Sequence, residues 1–323
     1  LPKLVRHLVY TWKVFRLAPR GKVVYAQDPV SVGLPTMVAC GLRRRSYFLK
    51  IVGDYAWEQG SQRFDVTDLL DDFSTRNNYV WPVRVLKKIQ LLVARRAQKV
   101  IVPSEYLKKI VGNWGVSKEK IEVIYNAFEA PASLPAKETL RQGLGLDGLV
   151  ITSVGRLVPW KGFELLLDLM PELMEKFSNL KLFIIGEGPE RNKLEKLVAT
   201  KNLTNVFLTG RLLQNELLKY IKASDVFALN TSYEGFSHQL LEVMWCGTPI
   251  VTTAVGGNVE LIKDDETGFL VGYNERAALK SAIENILVDS DLASRLSQAA
   301  QTKVSEFSKD RMIDKLLKIL SLS

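Results

Sequence analysis

Glu234 and Glu242 stand eight positions apart, with an apolar, helix-like stretch between them. A strand-like run, DVFALN, leads into Thr231 and Ser232, and Ser237 can cap the helix that follows. Gly247, with Pro249 beyond it, closes that helix. At about 1.5 Å per residue, eight residues span roughly 12 Å, comparable to a ribose–diphosphate–hexose unit. The free N–H groups and the dipole at the helix start suit a diphosphate. A carboxylate at each end can then accept hydrogen bonds from sugar hydroxyls. Solvated helix charges would produce the same spacing, but Glu242 lies among Leu240, Leu241, Val243 and Met244, where a purely solvating role is less natural.

Two further turns carry matching chemistry. In Ser153–Gly162, SVGRLVPWKG, an apolar strand delivers Arg156 and Lys161 to a loop before a helix. A diphosphate bound without a metal needs fixed cations, and arginine offers a planar fork where lysine offers a point charge. Ile185–Pro189, IGEGP, is a tight strand-to-helix turn whose glycines permit close backbone approach. Other candidates read as structure. Ser104 is an N-cap, His7 has no metal-like neighbours, and His238 is a capping or surface histidine. Asp289-Ser290-Asp291 has the form of a metal-binding acidic pair but falls between two helices. No metal site is expected. Asn202 and Asn230 begin glycosylation sequons in form only.

These loops need strands and helices to hold them. Strands are expected at Lys22–Ala26, Tyr47–Val52, Lys99–Val102 and Ile121–Tyr125, then at Leu149–Val154, Leu180–Ile185, Val206–Leu208, Val226–Leu229, Pro249–Thr252 and Gly268–Val271. Amphipathic helical stretches of 10–15 residues separate most of them, the pattern of parallel sheets covered on both faces. A length of 323 residues fits two doubly wound α/β domains. The Pro- and Gly-rich stretch Ala127–Gly148 should hold the boundary. The expected domains are therefore 1–136 and 137–308, with helix 309–323 returning to the first. The first domain opens on a helix-like stretch, LPKLVRHLVYTWKVFRL, where a doubly wound domain normally opens on a strand and a Gly-rich turn. It is expected to lack its first strands.

Charge is uneven. Residues 1–140 carry 23 Lys and Arg against 12 Asp and Glu; residues 141–323 carry 21 against 23. No zinc-finger or RNP-like pattern accompanies the basic half, so nucleic acid is not an expected partner. Two stretches are both basic and amphipathic: Leu4, Val5, Leu8, Trp12 and Phe15 among Lys3, Arg6, Lys13 and Arg16, and Val85, Leu86, Ile89, Leu92 and Val93 among Arg84, Lys87, Lys88, Arg95 and Arg96. Either can lie on an anionic leaflet or pack its apolar face on the sheet. No apolar run is long enough to span a bilayer. Cys40 and Cys246 read as buried thiols of a reducing compartment, so a cytoplasmic protein with peripheral contact on the inner face of the membrane is expected.

Taken together, GRLVPWKG, IGEGPE, LTGRL, the EGFSHQLLE segment and GTPIVTTAVGGNVELI followed by TGFLV resemble glycosyltransferase family 4, the group 1 glycosyl transferases of the GT-B fold. VPSEYLKKIV and WGVSKEKIEVIYNAF resemble the stretch before that family's interdomain linker, and the likeness runs through almost all of residues 22–320. It implies two Rossmann-like domains facing across a cleft. It also implies retaining transfer of a hexose from a UDP-, GDP- or ADP-sugar to a glycan or lipid-linked acceptor, with no cofactor. Arg156 and Lys161 match the pair that binds the donor diphosphate; Glu234 matches the glutamate touching the transferred sugar. Gly235, Phe236 and Ser237 match the backbone beside sugar and phosphate, and Glu242 the ribose-binding glutamate. Gly186, Gly188, Arg211 and Leu212 should flank the base. Many relatives place a histidine in the first domain where this chain reads IVGDYAWE. Asp54 is there as polar partner or base, or else as an Asx turn beside Gly53. The competing readings are an epimerase or phosphorylase on the same fold, and a non-catalytic sugar-nucleotide-binding module.

Overall fold

The computed structural model describes residues 3–18, 21–129, 131 and 133–321. The chain divides into two units: Leu1–Asn126 with Asp310–Ser323, and Ala127–Lys309. The first unit is built on four parallel strands, β1 (Tyr25–Ala26), β2 (Phe48–Lys50), β3 (Lys99–Val102) and β4 (Ile121–Val123), in the order β1-β2-β3-β4. Apolar runs such as Val100–Val102 are fully enclosed, as sheets covered on both faces require. β1 is shorter than the expected Lys22–Ala26, because only Tyr25 and Ala26 have a register partner on β2.

The second unit carries β5 (Val150–Val154), β6 (Lys181–Ile185), β7 (Val206–Gly210), β8 (Val226–Leu229), β9 (Ile250–Thr253) and β10 (Phe269–Val271). All are parallel, in the order β10-β9-β8-β5-β6-β7. The helix Phe163–Lys176 lays Leu166, Leu167, Leu169, Met170 and Leu173 into a core with Ile151, Leu182, Ile184 and Val226. The chain runs outward from β5 to β7, then crosses to β8 on the other side of β5. In open parallel sheets such a reversal leaves a crevice at the carboxyl ends of the two adjacent strands, where ligands bind. Here those strands are β5 and β8.

The division falls at Asn126–Ala127, ten residues before the expected one. The stretch read as linker contains the helix Lys137–Leu144, closed by Gly145 at φ 63°. Lys137 and Arg141 both pair with Asp225, at 2.7 and 3.1 Å, which ties that helix to the second unit. Ser104 caps the helix Glu105–Asn113, and Asp289 caps Ser290–Val304 by accepting from the Asp291 and Leu292 amides. Both cysteines are buried thiols.

Candidate functional site

The loops after β5, β6 and β7 are joined by backbone hydrogen bonds. Gly155 N–H donates to Ile185 O at 3.1 Å, Leu157 N–H to Glu187 O at 3.0 Å, and Gly186 N–H to Gly210 O at 2.9 Å. Only glycine fits where these turns meet. A Cβ on Gly186 would lie 1.9 Å from Gly155 O, and one on Gly188 2.3 Å from Leu157 O. The two glycines of IGEGP therefore hold the turn bearing Arg156 in place.

Lys161 and Glu234 meet where β5 and β8 adjoin. Lys161 ends a short 3-10 turn, Pro159–Lys161, after β5; Glu234 lies in the loop after β8. Their side chains form an ion pair and are only 9% and 12% exposed. The two loops are laced together: Ser232 N–H donates to Trp160 O at 2.8 Å, Thr231 Oγ1 to the same oxygen at 3.1 Å, and Asn230 Nδ2 to Gly162 O at 3.2 Å. Removing one partner of so enclosed a pair leaves an uncompensated charge.

A third loop supports Glu234 from behind, and sequence reasoning assigned it no role. Gly257 N–H donates to Glu234 O at 2.8 Å. A Cβ on Gly256 would lie 2.1 Å from Glu234 O, and one on Gly257 2.4 Å from Gly235 O. The available signal was the adjacent glycine pair directly after a buried strand. Gly257→Ala should push the Glu234 loop outward and weaken about tenfold the binding of the sugar nucleotide that the family resemblance implies, because misplaced polar contacts are readily lost; calorimetry against the wild type measures this.

Ser237 accepts from Leu240 N–H at 3.3 Å and starts the helix His238–Cys246, which ends at Gly247 with φ 70°. Glu242 points from this helix into a cavity of about 450 Å³ shared with Arg156, Gly186, Arg211, Leu212 and Gln214. Gln214 Nε2 donates to Glu242 Oε1 at 3.3 Å. Burial pushes the Glu242 carboxyl up to about 7, and the Gln214 hydrogen bond only partly opposes this. The unfolded carboxyl ionises first. The group's contribution to stability is thus full below the ordinary carboxylate range and is lost as pH rises to about 7. Glu242→Gln should remove that loss, up to about 3 kcal/mol, and flatten the stability profile between about pH 5 and 7. Urea denaturation across that range checks it. Gln214 and Gln239 also line the cavity; neither was singled out from the sequence, since nothing in a lone glutamine reports its facing.

The structure thus groups Arg156, Gly186, Arg211, Leu212 and Glu242 around one cavity, and pairs Lys161 with Glu234 in the adjoining loops. Gly188 braces the Arg156 turn, while Gly235, Phe236 and Ser237 connect Glu234 to the helix. The cavity offers cations for an anion and a carboxylate–amide pair for hydroxyls, within the size range of small-ligand sites. His238 is exposed at the helix start. Among the described residues, no group of three or more His, Cys, Asp or Glu is placed to hold a metal ion.

Asp54 belongs elsewhere. It lies in the first unit, fully buried, as the N-cap of the helix Tyr55–Arg63. Its Oδ1 accepts from Trp57 N–H at 2.9 Å and Gln90 Nε2 at 3.0 Å, and its Oδ2 from Trp114 Nε1 at 3.0 Å. Burial raises its pKa while these donors lower it. The expected polar partner or base is therefore a sealed structural carboxylate whose acceptors are already engaged. The Asx-turn alternative describes it better.

Two parallel-sheet Rossmann-like units, one with a cationic and carboxylate-bearing cavity at its strand ends, define the GT-B class of fold. The profile described as glycosyl transferases group 1 matches residues 136–303, more than half of the chain, and that described as glycosyltransferase family 4 matches residues 70–130. The chain belongs to the group 1 glycosyl transferase family. It is 30% identical over 209 residues to the lipopolysaccharide core biosynthesis glycosyltransferase LpsE of Rhizobium meliloti, covering 63% of this chain and 58% of that protein. It is 31% identical over 216 residues to the N-acetylgalactosamine-N,N'-diacetylbacillosaminyl-diphospho-undecaprenol 4-alpha-N-acetylgalactosaminyltransferase of Campylobacter jejuni, covering 66% and 57%. The chain thus spans under two thirds of the length of these relatives. Anabaena Alr3699/HepE in complex with UDP-glucose superposes with a TM-score of 0.80 at 22% identity, over 97% of this chain and 82% of that one.

Proposed function

We propose that this chain carries the donor site of a retaining, metal-independent glycosyltransferase, which moves a hexose from a nucleoside-diphosphate sugar to a glycan or lipid-linked acceptor. One observation carries the reading: the buried Lys161–Glu234 pair lies at the sheet's reversal point, beside the cavity holding Arg156 and Glu242. A diphosphate entering there takes Lys161 and Arg156 as counter-charges and releases Glu234 to accept from a hydroxyl of the transferred hexose. Negative charge grows on the departing phosphate during transfer, so fixed cations stabilise the transition state more than the ground state. The departing phosphate, on the same face as the acceptor, takes the acceptor proton. Glu242 receives the ribose, and the turns at Gly186–Gly188 and Arg211–Leu212 flank the base. The UDP-glucose bound in the Anabaena structure and the diphospho-undecaprenol in the Campylobacter relative's name support both the donor class and a cell-envelope acceptor.

The test is release of nucleoside diphosphate from UDP-, GDP- and ADP-hexoses in the presence of polyprenyl-diphosphate-linked glycans. One donor should turn over, with product anomers matching the donor's by NMR, and chelators should leave the rate unchanged. Turnover unaffected by Glu234→Gln would sink the assignment.

Peripheral membrane contact belongs to the same proposal. On the helix Lys3–Leu17, Leu8 is 70% and Trp12 56% exposed, and Arg16 lies 4.7 Å from the centre of the Trp12 ring. No helix among the described residues is long and apolar enough to cross a membrane. An exposed apolar stripe with basic flanks suits an anionic leaflet. The chain should sediment with phosphatidylglycerol vesicles at low salt and be released at about 0.5 M salt, as screening dictates; sedimentation equal to that with phosphatidylcholine would contradict this.

A further inference from the structure

We propose that the first unit holds a second anion site, a phosphate-binding cavity between the helices Leu70–Thr75, Trp81–Arg96 and Glu105–Asn113. The cavity encloses about 400 Å³, within the range of small-ligand sites. Arg84, Lys87 and Lys88 all line it from one helix, on adjacent turns of the same face.

The three cations are not equivalent. Lys87 is committed to structure: its Nζ donates to Phe73 O at 2.6 Å and to Arg76 O, and lies 4.4 Å from the Phe73 ring centre. It satisfies carbonyls at the end of the helix Leu70–Thr75, a position that favours a cation. Arg84 and Lys88 have no ion pair or side-chain hydrogen bond among the described residues. The acids closest in sequence to the cavity wall are already matched: Asp68 and Asp72 to Arg76 at 3.0 and 3.5 Å, and Asp71 to Lys109 at 3.0 Å.

The floor leaves recognition of a ligand to the walls. Gln90 and Trp114 line it, but one Gln90 amide hydrogen and the Trp114 indole N–H turn inward to the buried Asp54. A ligand is therefore met from the walls, by Arg84, Lys88, the Asn77 side chain and Asn113. One amide hydrogen of Asn113 reaches Ser74 Oγ at 2.9 Å, and the amide carries a second. A guanidinium fork, an ammonium and side-chain amides around one enclosed space match the oxygens of a phosphate. The phosphate can come from a soluble phosphorylated compound or from a lipid headgroup. Trp81, 74% exposed, and Leu92, 43% exposed, share the outward stripe of this helix with Arg84 and Lys88, so headgroups are within its chemistry.

Calorimetric titration of the full chain with inorganic phosphate, at constant ionic strength set by chloride, tests the site. Saturable binding is expected. It should weaken at least about tenfold in Arg84→Gln/Lys88→Gln, through loss of charge-assisted hydrogen bonds, and persist in Arg156→Ala, which separates it from the nucleotide cavity. Both substituted side chains are exposed, so the double variant should keep wild-type melting. Vesicles of phosphatidylglycerol identify the source: competition with phosphate for the site indicates a headgroup, and absence of competition indicates a soluble phosphate. Phosphate binding that is absent, or equal in the double variant and the wild type, overturns the proposal.

Discussion

Lys161→Ala should lower turnover about 10²–10³-fold, the usual cost of removing one preorganised group that stabilises developing charge. Two losses are combined in this variant, and they can be separated. The first is the missing counter-charge for the departing phosphate. The second is Glu234, which is 12% exposed and paired with Lys161, and which would be left as an unmatched, mostly buried carboxylate. Breaking such a pair destabilises by several kcal/mol, whereas replacing both partners costs far less. Adding Glu234→Gln to Lys161→Ala should therefore restore much of the melting temperature while leaving turnover at or below that of the single variant. Recovery of turnover together with stability would show that Lys161 only holds the fold. Turnover and thermal melting of the wild type and these two variants give the answer.

Asp54→Ala should destabilise the first unit by about 3 kcal/mol. Three buried donors, Trp57 N–H, Gln90 Nε2 and Trp114 Nε1, lose their acceptor, and each stranded donor costs about 1–3 kcal/mol. The Trp57 N–H among them is the N-cap bond itself, worth about 1 kcal/mol of that cost. Relief of the desolvation that raises the Asp54 pKa offsets part of the sum. Asp54→Asn keeps one acceptor oxygen and should cost less. Because two units need not unfold together, the transition must be followed by tryptophan fluorescence, and a change below about 1 kcal/mol would mean that the network is not a support. Nucleotide binding, centred on the other unit, should survive both substitutions.

The sequence already marked all ten strands to within a few residues, because buried parallel strands are short apolar runs bounded by turns. The capped helix His238–Cys246 and the strand-end loops carrying Arg156, Lys161 and Glu234 were legible for the same reason. What stayed hidden depended on three-dimensional neighbourhood. That β8 lies directly beside β5, and so brings Glu234 to Lys161, follows from strand order and not from chain order. The role of Gly256 and Gly257 is visible only once a Cβ is placed against the Glu234 carbonyl. Gln90 and Trp114, the donors that enclose Asp54, are 36 and 60 positions away, beyond what the local stretch IVGDYAWE can report. The early cut at Asn126–Ala127 reflects Phe128 meeting the Trp245 ring and Leu134 O accepting from Lys222, 117 and 88 positions along the chain.

The site proposed for nucleotide sugars is built from the strand-end loops of the second unit alone. Thermal shift with UDP-, GDP- and ADP-hexoses, on the wild type, Arg156→Ala and Glu242→Gln, tests it most directly. One nucleotide sugar should stabilise the wild type by about 2.7 kcal/mol at a hundredfold excess over its Kd, with a clearly smaller shift in each variant. Stabilisation by none of the three donors, or equal stabilisation of all three proteins, would contradict it.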